Sequence, residues 1–225
     1  MLDKLNFRVF DVEGDGLKPS LLHVLSWKDN RGDVQSTFSY DKMKSLLTDT
    51  NMILIGHNIT QWDVPNVERL LGIKIKARLI DTLALSWYLY HDKNRHGLED
   101  WGENLGVPKP KIEDWYNLSK QEYQNRCEKD VEINYKLWVK MYGDLVALYG
   151  SWEKADRLVK YLQFKLDCAR KQEHSRWKID LGKAKKHLSE LEKEKGEQPR
   201  KYNPENSNNS PKNNSQAQKE NNYKQ

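Results

Sequence analysis

The sequence lacks any long apolar run and contains only two cysteines. No stretch approaches the ~18 consecutive apolar residues of a membrane-spanning helix, so we expect no membrane partner. The N-terminal residues have neither the basic start nor the apolar stretch of a signal peptide, which predicts a cytoplasmic location. Cys127 and Cys168 fit neither a disulfide framework nor a zinc ligand set, in keeping with a reducing compartment.

The charge is unevenly distributed along the chain. Residues 1–149 contain 20 Lys and Arg against 22 Asp and Glu, whereas residues 150–225 contain 18 against 11. The net charges are therefore −2 and +7. An acidic front part would bind nucleic acid poorly unless its carboxylates held cations, whereas a basic rear part would attract a polyanion. The alternative for the rear part is an ordinary solvated surface.

The hydrophobic pattern predicts three parts. Residues 1–149 form an α/β domain, residues 150–195 a helical extension, and residues 196–225 a low-complexity tail that we expect to be disordered. Strands are predicted at residues 7–13, 21–27, 34–40, 52–56 and 77–80. Helices are predicted at residues 41–47, 63–71, 82–90 and 96–105. A long helix is predicted to begin at Ser119, because Glu122 three residues later completes a capping box.

Acidic residues follow or lie within several predicted elements. Asp11 and Glu13 point to one face at the end of the first strand, where two carboxylates are tolerable if they share cations such as Mg²⁺ or Mn²⁺. Taken alone, this pattern is more typical of a strand-end surface. Asp63 follows a buried strand, and the alternative is a helix N-cap. Asp130 lies one turn beyond Arg126 in the long helix, and the alternative is a surface ion pair between them.

The order of these acidic motifs resembles the DEDD superfamily of 3′–5′ exonucleases. The first motif resembles residues 10–13, the second residues 57–58 and 63–65, and the third residues 130–131. The likeness is closest to the proofreading domain of phage-type family A DNA polymerases. It implies a ribonuclease-H-like mixed five-stranded sheet flanked by helices and followed by a helical extension.

Further segments are similar to the same family. Residues 80–83 and 96–102 match stretches between its second and third motifs, and residues 111–115 match the stretch before the third. The likeness spans residues 5–145 or so and continues more weakly over residues 168–180, which look like the opening of a polymerase region. The polymerase itself is absent from the sequence.

The resemblance implies a two-metal-ion 3′–5′ exonuclease that hydrolyses phosphodiester bonds at a single-stranded 3′ end of DNA. Asp11, Glu13, Asp63 and Asp130 would hold two Mg²⁺ or Mn²⁺ ions, with Asp11 bridging both. The expected role is proofreading beside a separately encoded DNA polymerase, in the host cytoplasm if a phage encodes the protein.

Substrate-binding residues are also expected. Asn58 and Trp62 would contact the terminal nucleotide, although Trp62 is alternatively a core residue. The family carries Tyr four residues before its last Asp, or His five before it, to orient water; this sequence has Arg126 and Asn125 there. Arg126 is predicted to bind phosphate or to keep Asp130 ionised, because it cannot accept a proton. A displaced Tyr123 is the alternative for the water-orienting role.

The sequence alone leaves three alternatives open for the function. Loss of the family's tyrosine fits a catalytically weak or inactive nucleic-acid-binding remnant or an accessory subunit of a DNA polymerase. The superfamily also includes enzymes that act on RNA. A split gene and a truncated polymerase product would give the same sequence. His57 and His96 are expected to be structural.

Overall fold

The computed structural model describes residues 2–30, 32–110, 118–175 and 178–197. The chain divides into two compact units, residues 1–175 and 176–225. The segment 111–115 that resembles a family motif lies outside the described residues, as do residues 198–225 of the predicted tail. Among the described residues, no helix is both long enough and apolar enough to cross a membrane.

The first unit alternates strands and helices in the predicted order. Its strands are β1 (Phe7–Gly14), β2 (Leu22–Asp29), β3 (Gln35–Thr37), β4 (Ile53–Gly56) and β5 (Arg78–Asp81). Its helices are α1 (Tyr40–Leu47), α2 (Asp63–Leu71), α3 (Thr82–Leu89), α4 (Leu98–Asn104), α5 (Lys120–Tyr149) and α6 (Trp152–Ser175). The second unit contains α7 (Leu181–Glu197).

The five strands form one mixed sheet in the order β3-β2-β1-β4-β5. β2 is antiparallel to both β1 and β3, whereas β4 is parallel to both β1 and β5. The carboxyl ends of β1, β4 and β5 therefore meet at one edge of the sheet. Such an edge is where open α/β sheets commonly place their ligands.

The two faces of β1 pack against different helices. Phe7 and Val9 belong to a buried cluster shared with α4, α5 and α6. Phe10 and Val12 belong to a second cluster, shared with α1 and α2. Because side chains alternate along a strand, Asp11 and Glu13 continue the stripe that faces α5. Both carboxylates therefore face the helix that carries Asp130.

Helix α5 begins at the predicted capping box. The Ser119 backbone N–H donates to Glu122 Oε2 at 2.7 Å, and the Glu122 backbone N–H donates to Ser119 Oγ at 3.3 Å. The helix then buries Cys127, Asp130 and Val131 along one stripe. Asp130 therefore faces the sheet, against which α5 packs.

Most predicted element boundaries differ from the structure by one to three residues, and two of the larger differences have a clear cause. β3 ends at Thr37, because Ser39 caps α1 by accepting a hydrogen bond from the Lys42 N–H. α4 begins at Leu98, because Gly97 is its N-cap and residue 96 precedes the helix. Both differences arise where a capping residue ends an element that hydrophobic pattern alone would extend.

The extension after residue 149 begins as an integral part of the first unit. Gly150 ends α5 in a left-handed conformation with a φ of 79°, and α6 then packs against α5 and α3. Trp152, Ala155 and Val159 of α6 are buried in the same cluster as Val9. The fold therefore needs α6 to cover its core.

Candidate metal centre and adjoining cleft

Three elements bring the four predicted carboxylates to one cleft. Asp11 and Glu13 come from β1, Asp63 from the first residue of α2, and Asp130 from α5. Carboxylate oxygens of Asp11, Glu13 and Asp130 all lie within 4.8 Å of one another. Asp63 lies outside this close group but lines the same cleft of about 340 Å³. The predicted acidic set is thus assembled in space, with three members in close proximity.

Asp63 is buried rather than serving as a helix cap. Its residue is 4% exposed, and its Oδ1 is a buried atom without a hydrogen-bond partner. The N-cap of α2 is Trp62, whose side chain makes no capping hydrogen bond. The capping alternative for Asp63 is therefore wrong. An unpartnered buried carboxylate oxygen is costly unless a cation or proton satisfies it.

Asp130 is bound by a residue that the sequence analysis did not single out. Lys109 Nζ donates to Asp130 Oδ2 at 2.5 Å, while Asp130 Oδ1 is buried without a hydrogen-bond partner. Arg126 instead pairs with Glu13, at 2.9 Å from Nε to Oε1. The alternative of a surface pair between Arg126 and Asp130 is therefore wrong, although the charge of Arg126 acts to lower the pKa of Asp130. The local sequence of Lys109, between Pro108 and Pro110, indicates a fixed backbone but not a partner.

The pKa values of the two β1 carboxylates reflect this crowding. Burial raises the pKa of Asp11 well above its usual range, and the neighbouring charges of Asp130, Asp63 and Glu13 raise it further. Burial also raises the pKa of Glu13 to about 7, although the Arg126 guanidinium opposes the shift. Like charges in a desolvated site disfavour ionisation.

The other two carboxylates are shifted in the same direction. Burial raises the pKa of Asp63 to about 8, with a further contribution from the charge of Asp81. Burial raises the pKa of Asp130 as well, while Lys109 acts to lower it. The protein alone therefore supplies too little positive charge to keep all four acids ionised at neutral pH.

The donor set fits hard divalent cations. All four acids offer carboxylate oxygens, which are the ligands that Mg²⁺ and Mn²⁺ prefer. The unpartnered oxygens of Asp63 and Asp130 provide coordination positions that no protein donor fills among the described residues. A bound divalent ion would also supply the missing positive charge.

The cleft beside the carboxylates combines polar and aromatic walls. Trp62 lines it, and the Trp62 Nε1 donates to the Leu17 carbonyl at 3.1 Å. Trp62 is partly buried and also packs against the α1–α2 cluster, so it contributes to the core as well as to the cleft. Asn58 lines the cleft from a left-handed backbone conformation with a φ of 63°.

A buried acid missed by the sequence analysis supports the loop that carries Asn58. Asp81 accepts hydrogen bonds from the backbone N–H groups of Asn58 at 2.9 Å and Thr60 at 3.1 Å, and it also caps α3 at Leu83. Gln163 of α6 donates to Thr60 Oγ1 at 3.1 Å. Asp81 lies within residues 80–83, which resemble a segment of the exonuclease family, and that resemblance is the sequence signal that could have identified it.

Tyr123 and the two histidines that were expected to be structural all contact other side chains of the protein. His57 Nδ1 lies 2.9 Å from Thr82 Oγ1, and burial lowers the pKa of His57 to about 4. His96 bonds to Ser86 and stacks on a tryptophan ring. Tyr123 stacks on His23 with ring centroids 3.9 Å apart. The Tyr123 ring therefore packs against a side chain of β2. The position four residues before Asp130 is occupied by Arg126.

Together these features define a mixed α/β protein with a carboxylate centre suited to divalent cations at the edge of its sheet. No protein-family model matches the chain, and no curated protein matches it by sequence. Solved structures do share its fold. "Brucella melitensis NrnC with bound Mg2+" aligns with a TM-score of 0.58 and 17% identity over 79% of this chain and 90% of that one.

Two more distant structures share the fold over a smaller part of their own length. Escherichia coli RNase D, described as an exoribonuclease involved in structured RNA processing, gives a TM-score of 0.53 and 17% identity over 74% of this chain and 46% of that one. The family B DNA polymerase of Pyrobaculum calidifontis aligns with a TM-score of 0.50 and 15% identity, over 69% of this chain and 27% of that one. These similarities confirm the predicted ribonuclease-H-like fold.

Proposed function

We propose that this protein is a divalent-metal-dependent 3′–5′ exonuclease that hydrolyses phosphodiester bonds at the 3′ end of a DNA strand. The observation that carries the proposal is the convergence of Asp11, Glu13 and Asp130, with oxygens within 4.8 Å, beside a fourth buried acid in the same cleft. The order of these acids along the chain matches the superfamily motifs, which supports the same assignment.

In this proposal the four carboxylates hold two Mg²⁺ or Mn²⁺ ions. When bound, the ions supply Lewis acidity for an in-line displacement at phosphorus. By the resemblance to the exonuclease family, Asp11 would be shared by both ions. Glu13 and Asp130 would complete one position, and Asp63 would serve the other. Their elevated pKa values in the metal-free protein are in keeping with a centre that needs cations.

The remaining cleft residues would position the substrate. The Trp62 ring offers a face for stacking of the terminal base, and the Asn58 side chain offers polar contacts. Arg126 cannot act as a general base, because a guanidinium has no lone pair to accept a proton. It would instead orient Glu13, to which it is bound, and attract the scissile phosphate.

An exoribonuclease is the second candidate. Solved structures with this fold include RNase D, described as an exoribonuclease, and NrnC "bound to pGG". The preference for DNA rests on the resemblance to polymerase proofreading domains and on the polymerase-like segment 168–180. A proofreading role beside a separately encoded polymerase has the same basis.

The deciding experiment is digestion of 5′-labelled and 3′-labelled single-stranded DNA and RNA of the same sequence. We expect stepwise shortening of 5′-labelled DNA with Mg²⁺ or Mn²⁺, and none with chelator. Asp11→Ala should abolish turnover without unfolding the protein, whereas Asp92→Ala, at an exposed acid outside the cleft, should retain it. Faster digestion of RNA would select the second candidate, and full activity of Asp11→Ala would exclude this centre.

A further inference from the structure

Lys109 forms a buried ion pair inside the candidate metal centre. Its Nζ lies 2.5 Å from Asp130 Oδ2, and the two side chains are 16% and 6% exposed. Lysine is seldom buried without a partner, because desolvating an ammonium group is costly. The contact therefore requires both an anionic Asp130 and a backbone that keeps Lys109 in place.

The backbone around Lys109 is held by features of the sequence. Pro108 and Pro110 restrict their own φ angles and favour an extended conformation for the residues before them. Immediately upstream, the Val107 N–H donates to the Gly102 carbonyl at 2.8 Å. A Cβ on Gly102 would come within 2.4 Å of the Val107 carbonyl oxygen, so glycine permits this close approach. The segment thus lies against α4 and presents Lys109 to Asp130.

The Lys109 ammonium acts on more than its direct partner. Its charge lowers the pKa of Asp11 and Glu13 as well as that of Asp130, against the larger effect of burial. Lys109 also lines the cleft together with all three of these acids. The Lys109 ammonium thus neutralises part of the negative charge that a divalent ion at the same carboxylates would neutralise.

We propose that Lys109 is a displaceable countercation of the metal centre: it occupies Asp130 in the metal-free protein, leaves that carboxylate when a divalent ion binds, and thereby lowers metal affinity. The proposal rests on the proposed metal-dependent function and specifies how this chain regulates occupancy of the site. Asp130 offers one oxygen to Lys109 and retains one unpartnered oxygen, so it is the point at which the two cations would compete.

The first test compares Mn²⁺ affinity by isothermal titration calorimetry at low ionic strength. Lys109→Met removes the charge while keeping an unbranched side chain, and Lys109→Arg retains the charge. We expect Lys109→Met to bind Mn²⁺ roughly tenfold more tightly than the original protein, because removing a close cation from a desolvated site changes affinity by at least that order. Lys109→Arg should stay near the original affinity. Lys74→Met, at an exposed lysine paired with Glu68, is the matched control.

A second test uses the unaltered protein and so does not depend on the folding of a variant. Lysine acetylation by an amine-reactive reagent, read by mass spectrometry, reports how accessible each ammonium is. We expect Lys109 to be labelled slowly without metal and several-fold faster with saturating Mn²⁺, since it would leave Asp130. Labelling of Lys74 should not depend on Mn²⁺.

The outcomes separate this inference from the proposed function. Absence of Mn²⁺ binding in both the original protein and Lys109→Met would overturn the metal-dependent function and the countercation with it. Mn²⁺ binding that is unchanged or weaker in Lys109→Met would overturn the countercation alone. Continued protection of Lys109 at saturating Mn²⁺ would do the same.

Discussion

Arg126 of α5 is bound to Glu13 of β1, at 2.9 Å, although Asp130 lies one helical turn away from it on the same helix. Asp130 is bound to Lys109 instead. The two basic side chains of this site, Arg126 and Lys109, therefore bind acids on other elements, and Arg126 does not pair with the acid one turn along its own helix. This arrangement decides what substitutions at the site should do.

Arg126→Ala should slow single-turnover cleavage by about 10–100-fold, because a hydrogen bond to a charged group is worth ~1.5–3 kcal/mol. Arg126→Tyr should be faster than the alanine variant, since it restores the residue that the resembled family carries at this position. The measurement is the rate constant at saturating metal, with Arg95→Ala as a control at an arginine that is 81% exposed. Equal rates for all variants and the original protein would show that Arg126 has no role in catalysis.

We expect residues 176–225, called here the rear segment, to strengthen DNA binding without contributing to the fold of the first unit. Residues 176–225 contain 12 Lys and Arg against 7 Asp and Glu, so truncation after Ser175 lowers the formal net charge from +5 to 0. A cut after Gly150 would be unsuitable, because Trp152 and Ala155 are buried in the core. We expect weaker binding of single-stranded DNA and a flatter dependence on salt concentration.

The measurement is an anisotropy titration of a labelled oligonucleotide across a salt series, using the inactive Asp11→Ala background for both lengths of chain. The melting temperature of the shortened protein serves as the folding control. Identical affinities across the series would make the rear segment a passive surface.

The metal-free protein should lose stability as the pH rises from about 5 to about 8. The folded-state pKa values of Glu13 and Asp63, about 7 and about 8, lie above the ordinary values of 4.5 and 3.8. Between those limits the folded state binds more protons than the unfolded state, so its free energy of unfolding falls with increasing pH.

A divalent ion should reverse this loss. At ~100 times the dissociation constant a ligand adds ~2.7 kcal/mol, which corresponds to a rise in melting temperature of about 5–10 °C for a chain of this size. Thermal scans with and without Mn²⁺ at both pH limits test this, and the gain should be larger at the higher pH. A gain that is greatest in acid would contradict the raised pKa values.

Asp81→Asn should destabilise the protein by roughly 2–4 kcal/mol, because the amide group cannot accept from all three backbone donors that the carboxylate binds. The loop from Asn58 to Thr60 would lose its support, so cleavage should slow as well. Denaturant unfolding and single-turnover rates measure the two effects. Asp49→Asn is the control, since Asp49 accepts an N–H from Asn51 near the surface. Unchanged cleavage with lowered stability would limit Asp81 to a structural role.

Much of the fold was predictable because its signals are local. The alternation in β1 predicted the strand and the shared face of Asp11 and Glu13, and the Ser119–Glu122 pair predicted the start of α5. The predicted span 63–71 coincides with α2, whose Pro65 is tolerated in the first turn. The order of the acidic motifs pointed to the ribonuclease-H-like fold, and the structural similarities confirm it. Periodicity and capping depend on neighbours within one or two turns, which the sequence contains in full.

The partners of the acids were decided by the tertiary structure. Lys109 and Asp130 are 21 residues apart, and Arg126 and Glu13 are more than a hundred apart, so neither pair follows from helical or strand spacing. Asp81 likewise binds a loop that precedes it by 21 to 23 residues. Long-range contacts depend on how elements pack. Residue types and their order therefore determined which acids would meet, whereas packing decided which cations neutralise them and how strongly burial shifts their pKa values.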